Sequence, residues 1–203
     1  SLILQSQAFF TALIAAMVLK ERIRAHNIAG MAIAGAGLML IAISESGGTA
    51  RLSLPLLLML LGAAVGWAAA NVIAKSMPGS NGFALVVWSS LFSPVPLAAM
   101  SFFLEGPQRI TGALRDLGWL SVGALAYLVI MSTLLGYGLW NRLIMRHGAS
   151  KIAPFSLLVP IFGVASAALF LGERINQLYA AAAALIMAGL AVHVFEVILD
   201  KPR

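Results

Sequence analysis

The chain of 203 residues contains no cysteine, only 7 acidic residues and no Asn-X-Ser/Thr triplet. Without cysteine there is no disulfide framework, no thiol nucleophile and no thiolate zinc site, and without the triplet there is no N-glycosylation acceptor. Catalytic signatures are missing as well: there is no His-Glu-x-x-His, no Gly-x-Ser-x-Gly and no phosphate-binding glycine loop. Gly35-Ala36-Gly37 lacks the preceding strand, the third glycine and the acid of a dinucleotide site. Potential metal ligands do not cluster. These absences argue against an enzyme, and no cofactor or metal is expected. Charge is scarce too, at 10% of residues against about 25% in soluble domains.

Apolar residues take up what charge leaves, at 61% of the chain. The mean hydropathy is +0.98. Seven continuous apolar runs fall near 1–19, 28–44, 54–74, 83–104, 117–140, 152–171 and 177–198. Crossing a hydrocarbon core of roughly 30 Å takes about 20 helical residues. Barrel strands would instead alternate polar and apolar over about 10 residues. The runs therefore predict an all-α integral membrane protein with seven transmembrane helices, surrounded by the lipid bilayer.

The net charge of +6 follows from topology. If the loop carrying Lys20, Arg22 and Arg24 is cytoplasmic and sides alternate, nine cations fall inside and four outside, the bias expected of cytoplasmic loops. The C-terminus is then cytoplasmic, and nucleic-acid binding is not needed to explain the charge.

Residues 19–23 read LKERI and residues 171–175 read LGERI. Sliding the chain by 152 positions superposes Glu21-Arg22-Ile23 on Glu173-Arg174-Ile175. Phe10 then meets Phe162, Leu19 meets Leu171, and Gly37-Leu38 meets Gly189-Leu190. Five runs separate the copies, an odd number, so the second copy has opposite topology. Inverted repeats of this kind let two halves exchange conformations in secondary transporters. Two runs survive in the first copy against five in the second, so about three further spans are expected before Ser1. Residues 1–44 would be the last two helices of a first repeat, 45–53 a periplasmic linker, and 54–203 a complete second five-helix repeat.

LILQSQAFFTALI at 2–14, GYGLWNRLI at 136–144 and KIAPFSLLVPIFGVASAALFLGERI at 151–175, with the two Leu-x-Glu-Arg ends, resemble the EamA-type exporters of the drug/metabolite transporter superfamily. Within it they are similar to the O-acetylserine/cysteine exporter branch. The resemblance implies ten helices in two sets of five, cytoplasmic termini, a place in the cell inner membrane, and export of small amino-acid or cysteine-pathway metabolites by alternating access. A drug or other-metabolite exporter of the same fold, and a non-transporting membrane scaffold, are the alternatives. Oligomeric state is not legible.

Polar groups at membrane depth are costly unless they face a partner or a wet cavity. Gln5 and Gln7 on the first run, Trp67 and Asn71 one turn apart on the third, Trp88 on the fourth, Tyr137 and Trp140 on the fifth, and Ser156 and Pro160 on the sixth form the candidate substrate pathway. Amides and hydroxyls beside aromatic walls suit a small zwitterion. The competing roles are interhelical hydrogen bonds for the amides, an interfacial belt for Trp88 and Trp140, and bonds to their own helix backbone for Ser90, Ser132 and Thr133. Pro154 and Pro160 remove backbone donors, either freeing carbonyls toward a cavity or simply kinking the helix.

Glu21-Arg22 and Glu173-Arg174 are expected mainly as interface and turn residues, with Glu opening the following helix, and secondarily as a gate between the halves. Gly62-x-x-x-Gly66 is expected to permit close helix contact. No carboxylate lies in the middle of a run, so a carboxylate proton relay is not expected in this part of the chain. His193, in the last run, is of the type that titrates near neutral pH, with simple packing as its competing role.

Overall fold

In a computed structural model, residues 2–46, 53–77, 79–172 and 177–199 are described, and all of their regular structure is helical. A 3₁₀ turn at Leu2–Ser6 leads into α1 (Gln7–Val18), followed by α2 (Ala25–Ser46), α3 (Leu54–Lys75), α4 (Gly82–Phe92), α5 (Pro94–Glu105) and α6 (Pro107–Arg115). Then come α7 (Trp119–Tyr127), a π-helical stretch at Leu128–Tyr137, α8 (Gly138–His147), the short α9 (Ala149–Ile152), a second 3₁₀ segment at Ala153–Leu157, α10 (Leu158–Leu171) and α11 (Gln177–Leu199). Five helical spans are long and apolar enough to cross a membrane: Ala25–Ile43, Leu54–Lys75, Gly82–Glu105, Trp119–His147 and Ala149–Phe170. Two shorter apolar helices, Ile3–Val18 and Gln177–His193, accompany them. The chain is an all-α membrane protein.

Prolines fall where a missing backbone donor matters least. Pro55, Pro94 and Pro107 open α3, α5 and α6. Pro154 lies buried in the second 3₁₀ segment, and Pro160 stands in the first turn of α10.

The chain packs as two compact units: residues 1–76 with 147–203, and residues 77–146. These units cut across the repeat boundaries expected from the sequence, because α3 and the helices after His147 pack with α1 and α2.

In the first unit the core gathers Ala8, Ala34, Ile41, Leu157, Ala182, Ile186 and Leu190. Its tightest feature is the pairing of α2 with α11. A Cβ on Gly189 would lie 2.5 Å from the carbonyl oxygen of Gly30 and 2.5 Å from the amide of Ala34. One on Gly37 would lie 2.7 Å from the carbonyl oxygen of Ala182 and 3.0 Å from the amide of Ile186. As α2 advances from Gly30 to Gly37, its neighbours on α11 run back from Gly189 to Ala182, so the helices are antiparallel. The two contact sets also interconvert: adding 152 to Gly37, Gly30 and Ala34 gives Gly189, Ala182 and Ile186. Lipid offers no hydrophobic drive for helix pairing, so close backbone approach through small residues supplies the attraction.

Gly62 and Gly66 do not serve this purpose, contrary to expectation; a Cβ on either would meet nothing within 4 Å. The face of α3 that packs is instead Ala64, Ala68, Asn71 and Val72, offset around the helix from the two glycines.

In the second unit α4 crosses the end of the π-helical stretch and α8. A Cβ on Gly82 would come within 2.7 Å of the Gly138 carbonyl oxygen, and one on Gly138 would strike the Phe83 ring. Most large apolar side chains of α5, α7 and the π-helical stretch are exposed. An apolar surface this extensive suits lipid.

Candidate functional site

Four polar side chains meet inside the first unit. Gln7 opens α1, and Thr11 follows one turn later on the same face. Ala8, Ala12 and Ala15 are buried beside them, and the alanines of α3 are equally small, so the two helices approach closely enough for Asn71 to reach across. Asn71 donates through Nδ2 to Gln7 Oε1 at 3.2 Å and to Thr11 Oγ1 at 3.2 Å. Thr11 Oγ1 also donates to Gln7 Oε1 at 3.3 Å. From the second 3₁₀ segment, Ser156 accepts from Gln7 Nε2 at 2.6 Å and donates to the Ala153 carbonyl at 2.8 Å. Gln7 and Asn71 are each 3% exposed, and Thr11 is fully buried. Burial of neutral amides is tolerated because each finds hydrogen-bond partners.

Three of the four were candidates from the sequence: Gln7, Asn71 and Ser156. Thr11 was not, although its i+4 spacing from Gln7 was a usable signal. Gln5 is half-buried in the first 3₁₀ turn, Pro160 is half-buried on α10, and Trp67 is 39% exposed on α3. Trp88, Tyr137 and Trp140 belong to the second unit, with Trp88 67% exposed and Trp140 half-buried. There the Ser89 and Ser90 hydroxyls donate to the Val86 carbonyl, at 3.1 and 2.7 Å, the backbone role foreseen for Ser90. Sequence inspection gave no warning of the π-helical stretch, which contains Ser132, Thr133 and Tyr137; such departures from α-geometry are frequent at functional sites.

Glu21 has a structural partner that its neighbours in sequence do not reveal. Its carboxylate accepts from the backbone amides of Ala149 at 3.0 Å and Ser150 at 2.9 Å, and from the Ser150 hydroxyl. Rather than opening the following helix, which begins at Ala25, Glu21 caps α9 from 128 residues away. Gly148 makes room for it: its φ is +104°, and a Cβ there would lie 3.2 Å from Glu21 Oε1. Arg22 is exposed nearby. Glu173 and Arg174 lie outside the described residues.

Asn27 bridges α2 to α11 by donating to the His193 carbonyl at 3.0 Å, while His193 Nδ1 lies 3.3 Å from the Asn27 carbonyl. His193 is 3% exposed, and its Nε2 has no hydrogen-bond partner among the described residues. Among the described residues no group of three or more His, Cys, Asp or Glu side chains could hold a metal.

Residues 54–195 match the EamA-like transporter family. Among curated proteins, the chain is 40% identical over 199 residues to a "Probable amino-acid metabolite efflux pump" of Salmonella typhimurium, covering 96% of this chain and 66% of that protein. A protein of the same description from Escherichia coli is 36% identical, with the same coverage. An uncharacterized transporter of Bacillus subtilis is 25% identical over 172 residues, 79% of this chain and 52% of its own. The chain thus spans about two thirds of the length of the first two relatives. No solved structure matches it significantly. The match over most of the chain, on spans that are helical and apolar, places this protein in the EamA-like transporter family.

Proposed function

We propose that the chain is the larger part of a ten-helix, inner-membrane exporter of small amino-acid-like metabolites that works by alternating access. The observation that carries this reading is the polar cluster of Gln7, Thr11, Asn71 and Ser156. It is buried within membrane-spanning helices, where polar groups mark pathways more often than in soluble cores. It is neutral, and it joins α1, from the first copy of the repeat, to α3 and the Ser156 segment, from the second. A ligand's carboxylate can accept from Asn71 Nδ2 in place of Gln7 Oε1, and its ammonium can donate to Gln7 Oε1 in place of Asn71.

The names of the two closely similar relatives support an amino-acid metabolite as cargo. Cysteine-pathway compounds such as O-acetylserine are the substrates we propose within that class, on the strength of the sequence resemblance. The antiparallel α2–α11 pair, whose contacts interconvert under the 152-residue shift, supports an inverted five-plus-five design. Gln5, Trp67, Trp88, Tyr137, Trp140 and Pro160 complete the proposed pathway, and Glu21-Arg22 and Glu173-Arg174 its interface motif.

The test is efflux from cells expressing the gene with its upstream helices, following O-acetylserine, cysteine and a panel of other amino acids. Selective export that is lost in Gln7→Ala and Asn71→Ala at equal membrane abundance is the expected result. Undiminished export in both variants would remove the cluster from the pathway, and absence of export of every panel member would remove the amino-acid reading.

A further inference from the structure

Under the 152-residue shift α1 falls on α10, with Gln7 on Val159, Thr11 on Gly163 and Ile14 on Ser166. Gln7 and Thr11 are the positions of α1 to which Asn71 of α3 donates its hydrogen bonds, and both are buried. Their counterparts are not. Val159 is 58% exposed. Gly163, one turn on, is exposed as well, and among the described residues a Cβ on it would meet nothing within 4 Å. Ser166, exposed too, continues the same face at i+3 from Gly163. One helix face is thus covered in the first copy of the repeat and open in the second.

We propose that, in the ten-helix exporter on which this inference rests, the Val159, Gly163 and Ser166 face of α10 receives the first helix of the first repeat, the counterpart of α3. A pseudo-two-fold axis gives each contact between the copies a partner contact with the roles exchanged. The packing of α1, fourth helix of the first copy, on α3, first helix of the second, therefore calls for packing of α10 on the first helix of the first copy. The α2 and α11 contacts already obey this rule, since they interconvert under the same shift. Chain length agrees. The shift places the counterpart of α3 roughly 100 residues upstream of Ser1, and the Salmonella typhimurium relative has about 100 residues outside the match. Lipid gains nothing from a glycine and a serine on this face, whereas a neighbouring helix gains close backbone approach and a hydrogen-bonding partner. Because valine and glycine stand where Gln7 and Thr11 stand, the hydrogen-bonded cluster is not duplicated, and it belongs to one side of the exporter alone.

The test is photocrosslinking in membranes of cells expressing the gene with its upstream helices. Val159→benzoylphenylalanine places a photoreactive side chain on the open face. Leu169→benzoylphenylalanine is the control: Leu169 is 78% exposed on the same helix, about 120° around it from Gly163. After irradiation the crosslinked peptides are identified by mass spectrometry, and export is measured in the dark on the same cells. The expected main product for Val159 joins α10 to the first upstream helix, and Leu169 does not give it. Crosslinking of Val159 to lipid, to a second copy of the chain or to a later helix, or no crosslink at all, overturns the docking. An equal yield of the expected product from Leu169 overturns the choice of face. Retained export alongside any of these results leaves the exporter reading intact, whereas a gene without helices upstream of Ser1 overturns both. Should the Val159 variant fail to fold, Ser166→benzoylphenylalanine reports on the same face.

Discussion

Gly189 on α11 sits so close to Gly30 on α2 that a methyl group on it would lie 2.5 Å from the Gly30 carbonyl oxygen. The obstruction is backbone, which cannot swing aside as a flexible side chain can. Gly189→Ala must therefore separate the two helices, and we expect a loss of about 1–3 kcal/mol, typical of overpacking. Gly62→Ala and Gly66→Ala meet open space and, in a helix interior, should be neutral or stabilising by up to about 1 kcal/mol. Thermal unfolding in detergent distinguishes the two sets, and equal melting temperatures for Gly189→Ala and Gly62→Ala would contradict the packing.

Asn71 and Gln7 are expected to couple energetically. A double-mutant cycle with Gln7→Ala and Asn71→Ala should return an interaction of about 0.6 kcal/mol, and at most about 1.7 kcal/mol, the range of interhelical hydrogen bonds in membranes. A coupling of zero would mean that the two amides do not meet in the folded protein. Thr11→Val, which keeps shape and removes the hydroxyl, should weaken the same coupling.

Replacing Glu21 tests its role as a cap. Glu21→Gln keeps the length but turns an amide NH₂ toward backbone donors, leaving one of them without an acceptor. We expect a cost of about 1–3 kcal/mol, read as a lower melting temperature. Gly148→Ala should produce a similar loss by a second route, since it strains a backbone at φ +104° and crowds the same carboxylate. If Gly148→Ala is destabilising while Glu21→Gln is not, the strain matters and the cap does not.

Trp88 and Trp140 should differ in their contact with lipid. Trp88 is 67% exposed, whereas Trp140 is half-buried. Among variants retaining a single tryptophan, brominated lipid should quench the Trp88 fluorescence more strongly. Equal quenching would argue that Trp88 faces protein.

Much of this architecture was legible because membranes impose few solutions. The apolar runs mark the helices, since backbone polar groups in hydrocarbon must pair within their own segment. The clustering of Arg22, Arg24, Lys75 and Lys151 at one end follows from the helix boundaries, since cations are confined to the polar breaks between apolar runs. Gln7 and Asn71 stood out because amides are scarce and expensive at depth. Thr11 did not stand out, because a threonine in a helix can bond its own backbone, and only the approach of α3 gives it an outside partner.

Composition and run length determined by themselves that this is a helical membrane protein, because both are local properties of the chain. Tertiary structure decided which small residues touch and which polar groups meet. Gly30, Gly37 and Gly189 do the close packing that Gly62-x-x-x-Gly66 was expected to do, and Glu21 finds its partner 128 residues away at α9. Both outcomes depend on the face that each helix turns toward its neighbours. In a chain this uniformly apolar, hydropathy does not reveal that face; the fit of one helix surface against another does.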